Sequence, residues 1–252
     1  MCLILLAIDR HPDYPVVLAA NRDEFHARPT AAMHWWPDQP ILAGQDLQSG
    51  GTWLGFKRSG QVATVTNFRS GQPEKARLSR GTLPLQLLAS ADTESETRTI
   101  HQRRSEFGGF NLLASAGDHW VYTGSEDPVP LRRLYRGIYG LSNGLLQAPW
   151  PKVLRGQRGL ARCLEAPHPY HDTLLALLAD EEKAAHEHLP DTGVGPEIER
   201  FLSSLFIRSP EYGTRASTVA TCDRRGHWVV TEQCYGPNGA PGERNRFEWD
   251  SQ

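Results

Sequence analysis

Four times along this chain a run of strand-forming residues meets a second such run across a short turn signal. "CLILLAI" and "VVLAANR" flank "DRHPDYP", and "TWLGFK" and "VATVTNF" flank "RSGQ". "GFNLLASA" and "HWVYTG" flank "GD", and near the end "STVATCD" and "HWVVTEQCY" flank "RRG". These runs are rich in Val, Thr and aromatics and are bounded by Gly, Pro and Asp, the pattern of half-buried antiparallel hairpins. Helical spacing occupies the stretches between them. Residues 79–91 open on Ser79 and carry Leu83, Leu87 and Leu88; residues 152–164 carry Val153, Leu154, Leu160 and Leu164. Further helices are expected over 170–178 and over 196–206, the latter with Ile198, Phe201, Leu202 and Leu205. Hairpins separated by helix pairs predict an α+β class, antiparallel sheets covered by helices, and not a doubly wound parallel sheet.

At 252 residues the chain is long enough for one domain with a sizeable core, and no linker divides it. The last residues, 237–252, are polar and Gly/Pro-containing and read as a surface tail. A net charge of -2 gives no field that would attract nucleic acid or an anionic membrane. Neither a Walker loop nor a dinucleotide-binding glycine motif is present. Residues 69–81, with four basic side chains and Glu74, read as a mobile rim loop and not as a nucleic-acid stripe. No apolar run reaches the length of a membrane span. The opening run from Cys2 to Ile8 is too short for a secretory signal and meets Asp9 and Arg10 at once, so a cytoplasmic location is expected. The oligomeric state is left open. Cysteines 2, 163, 222 and 234 form no C-x-x-C pair, and reduced thiols are the default.

A cysteine at position 2 admits two readings once the signal peptide is set aside. It is a small buried residue, or a nucleophile exposed by removal of Met1. In the second case thiol and α-amine share one residue, and the amine, with a pKa of roughly 7.7–8, serves as a base near neutrality. Asn21, Arg22, Asp23 and Glu24 end the second strand, and an antiparallel hairpin returns them beside Cys2. An arginine there would stabilise a thiolate and a carboxylate would hold an ammonium; the alternative is a polar turn or surface salt bridges. Gly50 and Gly51 permit close ligand approach, and Asn67 and Asn143 follow strands where a carboxamide can donate to an oxyanion or simply make a turn. Arg215 stands just before a strand. Trp35, Trp36 and Trp53 are candidate cleft-lining or core aromatics. The pairs His168/His171 and His186/His188 lack metal-ligand spacing, so no metal is expected.

Cys2 at the terminus, "NRDE", "GGTWLG", "TNFR" followed by "SRG", "GFNLL", "LSN" and "GTRASTV" occur in one order over residues 2 to about 235. This set resembles the NRDE family, also called the transport-and-Golgi-organisation protein family. The resemblance implies an N-terminal-nucleophile (Ntn) hydrolase-like fold, a four-layer α-β-β-α sandwich of two antiparallel sheets. It implies Cys2 as the nucleophile toward a C–N amide or thioester of a small acylated substrate. Asn67 and Asn143 then resemble the active-site asparagines and Asp23 the amine-binding carboxylate; Glu24, Trp53 and Arg215 are candidate substrate contacts. Cysteine acylases of this kind carry Arg-Asn-x-Asp where this chain has Asn21-Arg22-Asp23-Glu24, so Arg22 is shifted by one register position. No cofactor is required. The resemblance also implies a second reading, a non-catalytic protein that carries haem, or a lipid or acyl-CoA, in the same cleft.

Overall fold

The protein is described by a computed structural model covering residues 2–71 and 77–251, with the backbone alone described at Cys2. Met1, the Cys2 side chain and residues 72–76 of the expected rim loop lie outside the described residues. In chain order the elements are β1 (Cys2–Ile8), β2 (Val16–Phe25), β3 (Thr30–Trp35), β4 (Ile41–Asp46), β5 (Leu54–Lys57) and β6 (Val62–Asn67). There follow α1 (Leu83–Ala89), α2 (Thr93–Gln102), β7 (Phe110–Ala116), β8 (His119–Gly124), β9 (Arg132–Leu134) and β10 (Gly137–Leu141). The last elements are α3 (Pro151–Cys163), α4 (His171–Leu178), α5 (Pro196–Phe201), β11 (Tyr212–Cys222), β12 (His227–Tyr235) and β13 (Pro241–Asp250). All four hairpins expected from the turn signals form, as β1/β2, β5/β6, β7/β8 and β11/β12, each antiparallel. The class is α+β with two antiparallel sheets. No helix among the described residues is long and apolar enough to cross a membrane.

The chain divides into two compact units. The first, Met1–Ala27, Arg69–Gln72 and Arg136–Trp249, holds a six-stranded sheet in the order β10-β1-β2-β11-β12-β13. Leu3, Leu5, Ala7, Val17, Ala19 and Val219 form one face of it and pack against Val153 and Leu160 of α3 and Leu174, Leu175 and Leu178 of α4. The alternate residues Ile4, Leu6 and Leu18 are equally buried, so β1 and β2 lie between two dry faces. That double burial explains why "CLILLAI" is continuously apolar and does not alternate.

The second unit, Arg28–Phe68, Pro73–Tyr135 and Asp250–Gln252, holds a seven-stranded sheet in which β3 to β9 follow in sequence order. Ile41, Ala43, Ala63, Val65, Leu112, Ala114 and Val121 pack on Leu83, Leu87 and Leu88 of α1 and Ile100 of α2. Here Gly51 of "GGTWLG" meets Gly81 of "SRG". A Cβ on Gly51 would stand 2.4 Å from the Gly81 carbonyl, and Thr52 N donates to Gly81 O at 2.9 Å. The space at Gly51 expected to admit a ligand is taken by the chain's own Gly81.

Several elements differ from expectation. Helix α2 was not foreseen, because "TESETRTIHQ" offers one large apolar residue; it forms on a cap, the Asp92 carboxylate accepting from Ser95 N at 3.0 Å. The helix expected over 196–206 stops at Phe201, where Ser203 Oγ donates to Arg200 O and Ser204 Oγ to Phe206 O, drawing the chain out of the helical path. The helix over 79–91 starts with a 3-10 turn, Arg80–Thr82, before α1. Within 237–252, β13 forms an edge strand with most side chains exposed. Arg215 lies inside β11, at a register shift between Thr214 and Ala216, and not ahead of the strand.

One contact that fastens α4 to the first sheet gives the fold a pH signature. His171 Nδ1 and Nε2 lie 2.8 and 3.1 Å from the hydroxyls of Thr231 and Thr221. Burial, with Arg246 and Arg244 nearby, pushes its pKa down to about 4. The unfolded chain therefore takes up a proton before the folded one does, so this stabilisation is full above about pH 6.5 and is lost as pH falls from 6.5 toward 4. The loss is at most about 3 kcal/mol. Replacing His171→Gln, which keeps a donor and an acceptor but does not titrate, should narrow the gap in urea midpoint between pH 7 and pH 4.5.

Candidate functional site

The first unit builds its candidate site from the pairing of β10, β1 and β2. Cys2 and Arg22 are Cα partners across β1/β2. Leu141 of β10 is the partner of Ile4, so counting on two residues along each chain puts Asn143 level with Cys2, just past the end of the β10 ladder. Asn143, Cys2 and Arg22 thus stand side by side on three adjacent segments, with Asp23 the next residue along β2. Asn143 is fully buried, its Oδ1 accepts from Ser142 Oγ at 3.3 Å, and its carbonyl accepts from Arg69 N at 2.7 Å.

Alternation along β2 divides the "NRDE" side chains between faces. Asn21 lies on the helix side. Its Nδ2 donates to Leu178 O (2.9 Å) and Leu205 O (2.8 Å), and its Oδ1 accepts from Ser217 Oγ (2.6 Å). The carboxamide is spent fastening the end of α4 and the Leu205 segment to the sheet. Asp23 shares that face and is 1% exposed. Its Oδ1 accepts from Thr214 Oγ1 at 2.7 Å, and burial raises its carboxyl above the ordinary value while the Lys152 ammonium pulls it back. Lys152, on the first turn of α3, is itself 2% exposed. Glu24 is half-buried, with its Oε1 accepting from Phe25 N, and Arg215 Nη1 donates to Phe25 O at 2.9 Å.

Arg22 lies on the opposite face, in register with Ala216 of β11 and through it with Cys234 of β12. The neighbouring row is Ala20, Thr218 and Glu232. Arg22 and Glu232, 6% and 0% exposed, therefore share one sheet face with only Ala and Thr side chains on the strand between them. Cys234 Sγ donates to Glu232 Oε2 at 3.5 Å, and burial together with that carboxylate pushes the Cys234 thiol up to about 12. Burial also pushes Cys222 up to about 12 and raises Cys163. None of these three thiols is prepared to act as a thiolate.

In the second unit Asn67 is the last residue of β6, half-buried and paired with Phe110. Beside it a buried polar triad crosses the sheet: Tyr122 Oη donates to Asn111 Oδ1 at 2.8 Å, and Asn111 Nδ2 donates to Thr66 Oγ1 at 3.2 Å. That triad gives the Asn of "GFNLL" its place. Trp53 lies against Gly44, Trp36 donates to Ala43 O and packs on the helix-side core, and Arg58 stacks on Trp35 at 4.1 Å. All three tryptophans thus make packing contacts within the unit. Among the described residues no group of three or more His, Cys, Asp or Glu could hold a metal ion.

Sequence reasoning missed five charged residues that the structure buries: Arg69, Asp127, Lys152, Glu199 and Glu232. Glu232 carried a signal, a carboxylate in the middle of the strand run "HWVVTEQCY". Arg69 was present in "TNFR", and Lys152 and Glu199 sat within amphipathic helical patterns that made them look solvated.

Compared with known proteins, residues 1–237 match the family model described as Transport and Golgi organisation 2. The Transport and Golgi organization protein 2 homolog of Homo sapiens is 34% identical, over 92% of this chain and 92% of its own length. The Mus musculus homolog is 32% identical over the whole of both chains. Among solved structures, the Caenorhabditis elegans ortholog of N-acylethanolamine-hydrolyzing acid amidase superposes with a TM-score of 0.49 at 8% identity, over 87% of this chain and 92% of that one.

The bonds of Asn21 make its substitution a measure of architecture. Asn21→Ala strands two buried carbonyls and the Ser217 hydroxyl, at a cost of about 2–4 kcal/mol. For a chain of this size that lowers the melting temperature by roughly 5–15 °C in a thermal melt.

Proposed function

This chain belongs to the Transport and Golgi organisation 2 family, and from that premise we propose that it is an N-terminal cysteine hydrolase. Its substrate is a small acylated molecule, cut at a C–N amide or a thioester bond. The observation that carries the reading is the row of Asn143, Cys2 and Arg22 on three adjacent segments of one sheet, with Asp23 beside it.

Removal of Met1 leaves thiol and α-amine on Cys2. The amine takes the thiol proton, and the sulfur forms a bond to the substrate carbonyl carbon, placing negative charge on the carbonyl oxygen. Arg22 favours the thiolate form, and the Asp23 carboxylate holds the ammonium that the transfer creates. The Asn143 carboxamide donates to the oxyanion. The C–N bond then breaks, with the leaving amine taking its proton from the α-ammonium. Water, deprotonated by the free α-amine, hydrolyses the remaining thioester and returns the Cys2 thiol. Glu24 and Arg215 are the proposed substrate contacts. The sequence of steps needs no metal or redox group.

Intact mass before and after treatment with a p-nitrophenyl acyl ester tests this, together with turnover of an N-acyl anilide. The expected result is a protein without Met1 that gains one acyl group at Cys2, the other three thiols being held protonated by burial. The Cys2→Ala variant should keep the wild-type circular dichroism while losing both adduct and turnover. Met1 retained on every molecule, or turnover that survives Cys2→Ala, overturns the reading. Wild-type and Cys2→Ala proteins that bind haem or an acyl chain equally, with neither turning over, would instead make the protein a carrier.

A further inference from the structure

Resting on the hydrolase reading above, we propose that Arg69 is a positioning residue whose buried ion pair with Glu199 fixes the segment that presents Asn143. Arg69 Nη1 and Glu199 Oε2 are 2.9 Å apart, with side chains 6% and 2% exposed. The second oxygen of Glu199 is also engaged, accepting from both the backbone N and the hydroxyl of Thr192. The Arg69 guanidinium lies over the Trp150 ring at 4.6 Å. That ring in turn rests on Gly144, where a Cβ would stand 2.8 Å from it. Arg69 N donates to the carbonyl of Asn143 at 2.7 Å. Three segments therefore meet at Arg69: its guanidinium touches Trp150 and Glu199, and its backbone N–H holds the carbonyl of Asn143.

Stability alone does not account for such a pair. Desolvating two charges offsets most of their attraction, and an apolar pair of the same volume would fill the space as well. What the pair adds is direction. A guanidinium charge set against a carboxylate whose other oxygen Thr192 holds, with the Trp150 face against it, restricts how the three segments can be arranged. An oxyanion donor depends on that arrangement, because a displacement of about 1 Å costs on the order of 100-fold in rate.

The test compares wild type, Arg69→Lys, Thr192→Val and the double variant Arg69→Met with Glu199→Leu. The double variant keeps the buried volume and avoids an unpaired charge, so it should fold and melt cooperatively. Its maximal rate of Cys2 acylation by the p-nitrophenyl ester should fall about 10- to 100-fold, with the half-saturating ester concentration within about twofold of wild type. Arg69→Lys should recover part of the rate, since charge is kept but the planar face against Trp150 is lost, and Thr192→Val should show a smaller loss. Amide hydrogen exchange should quicken in residues 141–150 of the double variant and stay unchanged in β11 and β12. A folded double variant that acylates at the wild-type rate, or one whose exchange quickens equally everywhere, overturns the proposal. If wild type itself gains no acyl group at Cys2, the hydrolase reading falls, and exchange at 141–150 alone then decides whether Arg69 holds that segment.

Discussion

The placement of β2 between β1 and β11 is the constraint on which the described site depends. Seven residue pairs join it to β1 and ten to β11, and the first sheet is centred on this strand. The period of a strand is two, so a slip of one residue would carry Asn21 and Asp23 away from the helices and bring Arg22 toward them. The register is held by both faces at once. Ala19 and Val17 belong with the helix-side core, and Leu18 and Ala20 are buried on the other side. Asn21 adds a polar lock, since its three hydrogen bonds reach α4, the Leu205 segment and β11 and can be made only from one face.

This first unit also concentrates the buried charge. Arg22, Asp23, Arg69, Lys152, Glu199 and Glu232 are all under 10% exposed, and each is expensive to desolvate. A fold selected only for stability would replace most of them with apolar residues. The second unit, by contrast, places its buried polarity mainly in neutral groups such as the Tyr122–Asn111–Thr66 triad. Of these, Arg22 is the cross-strand partner of Cys2 and Asp23 follows it, so buried charge reaches the end of β1.

The hairpins were legible from their turn signals, and the apolar spacing of α3 and α4 placed those helices to within a residue or two at their starts. Helix α2 was not legible, because its stability comes from the Asp92 cap and from Ile100 docking on the second sheet, and neither registers as an apolar stripe. The position of Cys2 opposite the "NRDE" segment followed from antiparallel pairing alone. The division of labour within that segment did not.

What the sequence determined by itself was local: which runs become strands, which turns close them, and that Cys2 and Arg22 meet across one hairpin. Short-range pairing and periodicity suffice for that, since each hairpin is specified within about 25 residues. The tertiary structure decided which polar residues lose their water. Arg69 meets Glu199 across 130 residues of chain, Asn21 meets Ser217 across 196, and Asp23 meets Thr214 across 191. No local pattern encodes those encounters, because burial of a charge depends on what the rest of the chain packs around it, and that is settled only when the sheet and its helices have closed.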